Sequence, residues 1–251
     1  MKDAKTLAYI NLFAILGAIP YLCELDEEAR ALIEGQAVSI GFSVKGGPEA
    51  TLFIGGGKAR MVPGVERCDV KLPFPSCEKF NGMINGTSTP IPTKGLTKIS
   101  FLLKKFMKLT DLLEKYLRAD ETSLADDTFL TKSTIIMFRV IVNAIVQIGN
   151  HDSIGQFSAS NIVDGAVKME IPGVTKAAIL VKDNKLTFSE RVPKNIMSYM
   201  AFEDVHVAHD LFDGKINSVA AVGEGKVRMG GMISQIDNIN RILSRVELYL
   251  K

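Results

Sequence analysis

The stretch Ala50-Thr51-Leu52-Phe53-Ile54-Gly55-Gly56-Gly57-Lys58 returns 127 positions later as Ala177-Ala178-Ile179-Leu180-Val181-Lys182-Asp183-Asn184-Lys185. Both copies read as strand, tight turn, strand. Glycine in one and Asp-Asn in the other supply the positive φ that a hairpin turn needs. Working outward at the same shift, Ile40, Phe42 and Val44 fall on Val167, Met169 and Ile171. Each set alternates with small or polar residues, the period of a half-buried strand. Gly46 falls on Gly173, a turn position in each copy, and Ala4-Lys5-Thr6 meets Thr131-Lys132-Ser133, each opening a long apolar run.

Five extra residues in the second copy then bring Phe80-Asn81-Gly82 onto Phe212-Asp213-Gly214. At the end, Met232, Ile236, Ile239, Leu243, Val246 and Leu250 step by four and three, one apolar stripe of an amphipathic helix. Their counterparts are Ile99, Leu103, Phe106, Thr110, Leu113 and Leu117, and Tyr116 matches Tyr249. Matches in one order from first helix to last make the chain a tandem α+β duplicate. The first domain spans 1–117, an acidic aperiodic linker 118–130, and the second domain 131–251.

Each unit is expected to open with a helix. In the first copy a second helix begins at Asp26 and stops at Gly35. Three strands follow, then a short helix (around Asp204 to Phe212 in the second copy) and a loop. A short strand near Lys226–Met229 leads to the long final helix. Helices at both ends of an antiparallel meander give a sheet with one face covered.

The apolar run Thr6 to Cys23 is near the lower length for crossing a bilayer. Its counterpart, Ile135 to Ile148, carries Arg139, Asn143 and Gln147 at helical spacing, a polar stripe that suits a core helix. Equivalence makes the first run a core helix too; lacking the stripe, it is expected to be buried on all sides, either between the copies or at a subunit contact. Asp3 spoils the basic region of a signal peptide. The net charge of +2 gives no pull toward nucleic acid. Lys104, Lys105 and Lys108 read as the wet face of a helix. Three cysteines, Cys23, Cys68 and Cys77, lack metal-ligand spacing and suit reduced thiols in a cytosol.

The glycine runs lack the context of a phosphate loop. Ile54-Gly55-Gly56-Gly57-Lys58 joins two strands, and Gly223-Glu224-Gly225-Lys226-Val227-Arg228 ends in arginine where a dinucleotide fingerprint has glycine. His206 and His209, beside Glu203 and Asp204, offer two metal ligands without a third; they read as surface histidines, and no metal is assigned. Asn85-Gly86-Thr87, a glycosylation sequon in form, reads as a turn. With no nucleophile, acid–base pair or cofactor fingerprint identified, a non-enzyme without cofactor is expected. Six of the ten methionines, Met137, Met169, Met197, Met200, Met229 and Met232, lie in the second unit. They read either as core filling or as an adaptable wall for a variable apolar ligand.

The unit resembles the sterol carrier protein family of type-two lipid-binding domains. The likeness rests on the alternating strand (Val38–Val44 or Val167–Ile171) and the hairpin at Gly55–Lys58 or Asp183–Lys185. It continues in a strand-to-helix step ending Phe-Asn-Gly or Phe-Asp-Gly, and in the loop 225–231 that leads into the final helix. The resemblance implies a mixed sheet, helices on one face, and an apolar tunnel between them for sterols, fatty acids or acyl chains. It brings no catalytic residues. Thr87-Ser88-Thr89-Pro90-Ile91-Pro92-Thr93 in the first copy replaces Ser218-Val219-Ala220-Ala221-Val222 in the second and excludes the same short helix there. The expected lining is Val167, Met169, Ile179, Val181, Met229, Met232, Ile236 and Ile239. The expected protein is a cytoplasmic carrier of a lipid or other apolar small molecule, with no nucleic-acid partner and no stable membrane insertion. Transient membrane contact and a homodimer are compatible with this reading. The alternatives are an interaction module whose core fills itself and a substrate-binding accessory to a separate enzyme.

Overall fold

The two apolar runs form the two long helices of the chain, α1 (Ala4–Leu25) and, numbered in order below, α6 (Asp127–His151). Asp3 and Asp126 cap them by accepting from the N–H groups of Thr6 and Phe129. Both are long and apolar enough to cross a membrane by length and composition alone. No residue from 6 to 23 is exposed, as the missing polar stripe requires, and Arg139, Asn143 and Gln147 form the half-buried side of α6. One π turn, Asn11–Ile15, interrupts α1.

The computed structural model describes residues 2–65 and 67–250, Leu96 by its backbone only. They divide into two compact units, Met1–Ala119 and Asp120–Lys251. In the first unit α1 is followed by α2 (Glu27–Ile33), β1 (Val38–Val44), β2 (Glu49–Gly55), β3 (Lys58–Pro63), β4 (Val70–Phe74) and α3 (Cys77–Ile84). The final helix α4 covers 96–117 and contains a π turn at Leu102–Phe106. In the second unit a single turn, α5 (Glu121–Leu124), precedes α6, α7 (Ser153–Ala159), β5 (Gly165–Ile171), β6 (Thr175–Lys182), β7 (Lys185–Ser189) and β8 (Ser198–Phe202). There follow α8 (Val205–Phe212), α9 (Ser218–Gly223), β9 (Val227–Gly231) and α10 (Ile233–Leu250). The α+β class is present in both units, each opening and closing with a helix. The segment read as linker is helical at Glu121–Leu124 and again from Asp127.

The hairpins form as read, with positive φ at Gly56, Gly57, Asp183 and Asn184. The sheets are not antiparallel meanders. Their orders are β3-β2-β1-β4 and β7-β6-β5-β8-β9, and the pairs β1–β4 and β5–β8 are parallel. Each unit has four strands before its short helix, not three, because a crossover returns the fourth to the far side of the first. In the first unit this crossover lies across β1: a Cβ on Gly41 would stand 2.7 Å from Cys68 Sγ. The Asp69 carboxylate pins it by accepting from the N–H and hydroxyl of Ser39, each at 2.8 Å.

The pairing of Phe80-Asn81-Gly82 with Phe212-Asp213-Gly214 does not hold. Ser76 and Asp204 are the N-caps of α3 and α8, so Asn85-Gly86 corresponds to Asp213-Gly214, and both glycines take positive φ just past the helix end. Gly82 lies inside α3, where the chain folds back close enough that Thr87 N–H donates to its carbonyl at 2.7 Å. The extra residues of the second copy come later and build α9 and β9. The first unit, with Pro90 and Pro92 in that stretch, has no counterpart of α9 among its described residues. Of β9 only the bridge Lys71–Lys94 remains. Lys71 N–H donates outward to Lys94 at 3.3 Å. Pro73, two residues on and facing the same edge, has no N–H to continue the ladder.

A methionine row beneath the second unit's final helix

Strand register decides which side chains share a face. Val167 pairs with Ile179, Met169 with Met200, and Met200 with Met229. Val167, Met169, Ile179, Val181 and Met229 therefore point to one side of the second sheet. Three methionines stand abreast on neighbouring strands, Met169–Met200–Met229. They run from full burial (0 % exposed) through 4 % to a half-buried position on the edge strand. The helices α6 and α10 pack on this sheet, and Phe138 of α6, Phe202 of β8 and Phe212 of α8 close one end with edge-to-face rings.

Of the expected lining, Val167, Met169, Ile179, Val181 and Ile239 are buried, while Met229, Met232 and Ile236 are half-buried. The stripe of α10 is turned from the one read in the sequence. Its most buried members are Gln235, Ile239, Ile242, Val246 and Tyr249, and Met232, Ile236, Leu243 and Leu250 form its margin. Gln235 can be fully buried because its amide is satisfied. Its Nε2 donates to Val163 O at 2.9 Å, and its Oε1 accepts from Ser198 Oγ at 2.8 Å. Ser198 Oγ also accepts from Met232 N–H at 3.0 Å, which fixes the start of α10 to β8. Ile233, at the start of α10, and Val219 and Val222 of α9 are exposed.

A second polar group, missed in the sequence, secures the far end of α10. Asp152, the N-cap of α7, accepts from Tyr249 Oη and Arg245 Nη2, each at 2.7 Å, and from the N–H groups of Ile154 and Gly155. Burial alone would raise its carboxyl, but the hydrogen bonds from Arg245, Tyr249 and Gly155 outweigh that and hold it below the ordinary carboxylate value. The pairing of Tyr116 with Tyr249 was the one sequence signal for it.

His206 is exposed, but His209 is not a surface residue. It is 4 % exposed, and burial lowers its pKa, chiefly by disfavouring the charged ring. No cluster of three or more metal-ligating side chains exists among the described residues. The three cysteines are buried and unpaired with one another. Burial, with Asp26 and Glu24 nearby, pushes the Cys23 thiol up to about 12.

The equivalent place in the first unit is built differently. Phe42 and Leu72 stand where the second unit has Met169 and Met200, and among the described residues of this unit no further strand follows β4. Phe106 of α4 packs on Phe42 with ring centroids 6.1 Å apart.

No protein-family model matches the chain, and no curated protein matches it. Among solved structures, a UbiJ-SCP2 ubiquinone synthesis protein is 12 % identical over 43 % of this chain and 95 % of its own, with a TM-score of 0.34. Sterol carrier protein domain 2 of Helicoverpa armigera is 15 % identical over 44 % of this chain and 87 % of its own, TM-score 0.35. The sec-alkylsulfatase Pisa1 from Pseudomonas sp. is 10 % identical over 59 % of this chain but 29 % of its own, TM-score 0.26. At TM-scores below 0.5 these likenesses assign no activity to this chain.

Proposed function

We propose that the second unit binds an apolar ligand of the lipid or acyl-chain class, without catalysis, between its sheet and α10. The observation that carries this reading is the row Met169–Met200–Met229, which grades from the core to a half-open edge. Unbranched thioether side chains repack around differing shapes at little cost, so they form a wall that can open. Val167, Ile179 and Val181 supply the floor. Ile239 lies with that floor, Met229, Met232 and Ile236 line the entry, and Gln235 and Ser198 are the polar groups within reach of a headgroup. Affinity comes from area removed from water, about 25 cal/mol per Å² of apolar surface. The first unit, with Phe106 on Phe42, is the scaffold half of the pair. Domains at 1–117 and 131–251, a cytoplasmic location and a tunnel open at the β9 margin belong to the same reading.

A second reading is favoured by the full burial of Val167, Met169, Ile179 and Ile239: a self-filled core in an interaction module. Native mass spectrometry of protein purified without detergent, with organic extraction of anything bound, separates the two. The carrier gives one lipid per chain. A bare protein that also takes up no fluorescent fatty acid or sterol establishes the self-filled core. Met232→Glu sharpens the test. Because Met232 is half-buried, the variant stays folded under either reading; in a carrier it abolishes uptake, whereas a self-filled core has no uptake to lose.

A further inference from the structure

The first turns of α4 break the usual division of a helix into apolar inside and polar outside. Phe101, Leu102 and Phe106 are buried, as an amphipathic helix requires. Yet Ile99, Leu103 and Met107, at successive four-residue steps, are 38 %, 62 % and 51 % exposed. Ile91, in the loop before the helix, is 77 % exposed. Four apolar side chains open to water along one stretch exceed the scattered single exposures of an ordinary surface.

The charge along this stretch of sequence is of one sign. Lys94, Lys98, Lys104, Lys105 and Lys108 fall in this stretch, and no Asp or Glu stands between Glu78 and Asp111. All but the half-buried Lys105 are exposed. The whole chain carries only +2, so this is a local concentration of charge. The matching helix α10 differs. It carries Asp237, Arg241, Arg245 and Glu247 in balance, with Asp237 bonded to Arg241 at 3.0 Å.

We infer that this face of α4, with the Ile91 loop, docks on an anionic lipid surface. Ile91, Ile99, Leu103 and Met107 enter the headgroup–acyl boundary, and Lys98, Lys104 and Lys108 lie against the lipid charges, while Lys94 Nζ donates to Cys68 O at 2.6 Å. Charge complementarity selects an anionic partner. The apolar side chains, and the absence of exposed arginine or aromatic groups on this stretch, select a membrane over a nucleic acid, whose binding relies on such groups. Docking needs no bound ligand, so it stands or falls apart from the binding reading above.

The chain has no tryptophan, which gives the test a clean reporter. Full-length Leu103→Trp is mixed with vesicles of phosphatidylcholine alone or with phosphatidylserine added, at low and high salt. The expected result is a blue shift and quenching by brominated lipid with the anionic vesicles only, reversed by salt. In co-sedimentation, Lys104→Glu/Lys108→Glu and Leu103→Ser/Met107→Ser each weaken binding by roughly tenfold or more. All four positions are exposed, and unchanged circular dichroism confirms that each variant folds. Equal binding to neutral vesicles, binding unaffected by both double variants, capture of a DNA or RNA duplex in preference to vesicles, or no vesicle binding overturns the inference.

Discussion

Tyr249 Oη donates to the Asp152 carboxylate at 2.7 Å, and in the first unit Tyr116 Oη donates to Asp26 at the same 2.7 Å. In each case the acid is the N-cap of the helix that follows the long apolar one and the tyrosine lies in the final helix, so the two ends of the unit are tied together. The second unit adds Arg245, where Leu112 stands in the first. Because the folded state holds the Asp152 carboxyl below its ordinary value, the carboxylate contributes stability above the unfolded pKa of about 4. That contribution is lost as pH falls through the folded value. Asp152→Asn should cost about 2–4 kcal/mol at neutral pH, since it leaves Arg245 without its partner. Urea unfolding at pH 7 and in acid checks this: the variant should lose less stability on acidification than the parent.

The alkaline limb has the opposite sign. Burial, then the hydrogen bond and charge of Asp26, raise the Tyr116 phenol above its ordinary value. Its contribution is complete below the unfolded pKa of about 10 and fades as pH rises through the folded value. Tyr116→Phe should cost about 1 kcal/mol at pH 7 and flatten the loss of stability above pH 10. Denaturant midpoints across that range, with the phenolate absorbance followed in parallel, decide it.

Two glycines occupy equivalent corners. Gly95 and Gly231 have φ of 86° and 111°, and a Cβ on either would stand 2.3 Å from Asp69 O or 2.1 Å from Met197 O. Backbone cannot yield as a flexible side chain can, so alanine at either position should cost more than about 2 kcal/mol. Gly56→Ala, also at positive φ but with nothing within 4 Å, should cost about 1 kcal/mol. Thermal melts of the three variants rank them.

The hairpins were legible because turn chemistry is local: Gly56-Gly57 and Asp183-Asn184 announce a conformation that few residues adopt. The crossover was not, because parallel pairing of β4 with β1 depends on a distant partner. Val70, Leu72 and Phe74 alternate as any edge strand would. The short helix was misaligned because Phe-Asn-Gly and Phe-Asp-Gly share letters but not helix positions. The stripe of α10 was read one position off because Gln235 and Tyr249 look polar. Their polar ends are paired inside, and only the folded chain supplies Ser198 and Asp152. The lysine-rich start of α4 was read as a wet face; sequence gives charge, but the exposure of Leu103 and Met107 needed the fold.

The methionine row yields the sharpest contrast. Met169 is fully buried while Met229, two strands away in the same row, is half-buried. Met169→Glu should unfold the second unit, because a carboxylate there has neither water nor partner. Met229→Glu should leave the unit folded and remove uptake of an apolar probe, since its charge reaches water at the entry. Leucine at Met169, Met200 and Met229 together keeps volume and should cost less than about 1.5 kcal/mol per site. If the row is a wall that repacks around ligand, this triple variant still folds but binds a narrower set of chain lengths, because branched leucine rotamers fit fewer shapes. Competition titrations with fatty acids of increasing length read that set directly. An unchanged length profile would mean that the thioethers only fill the core.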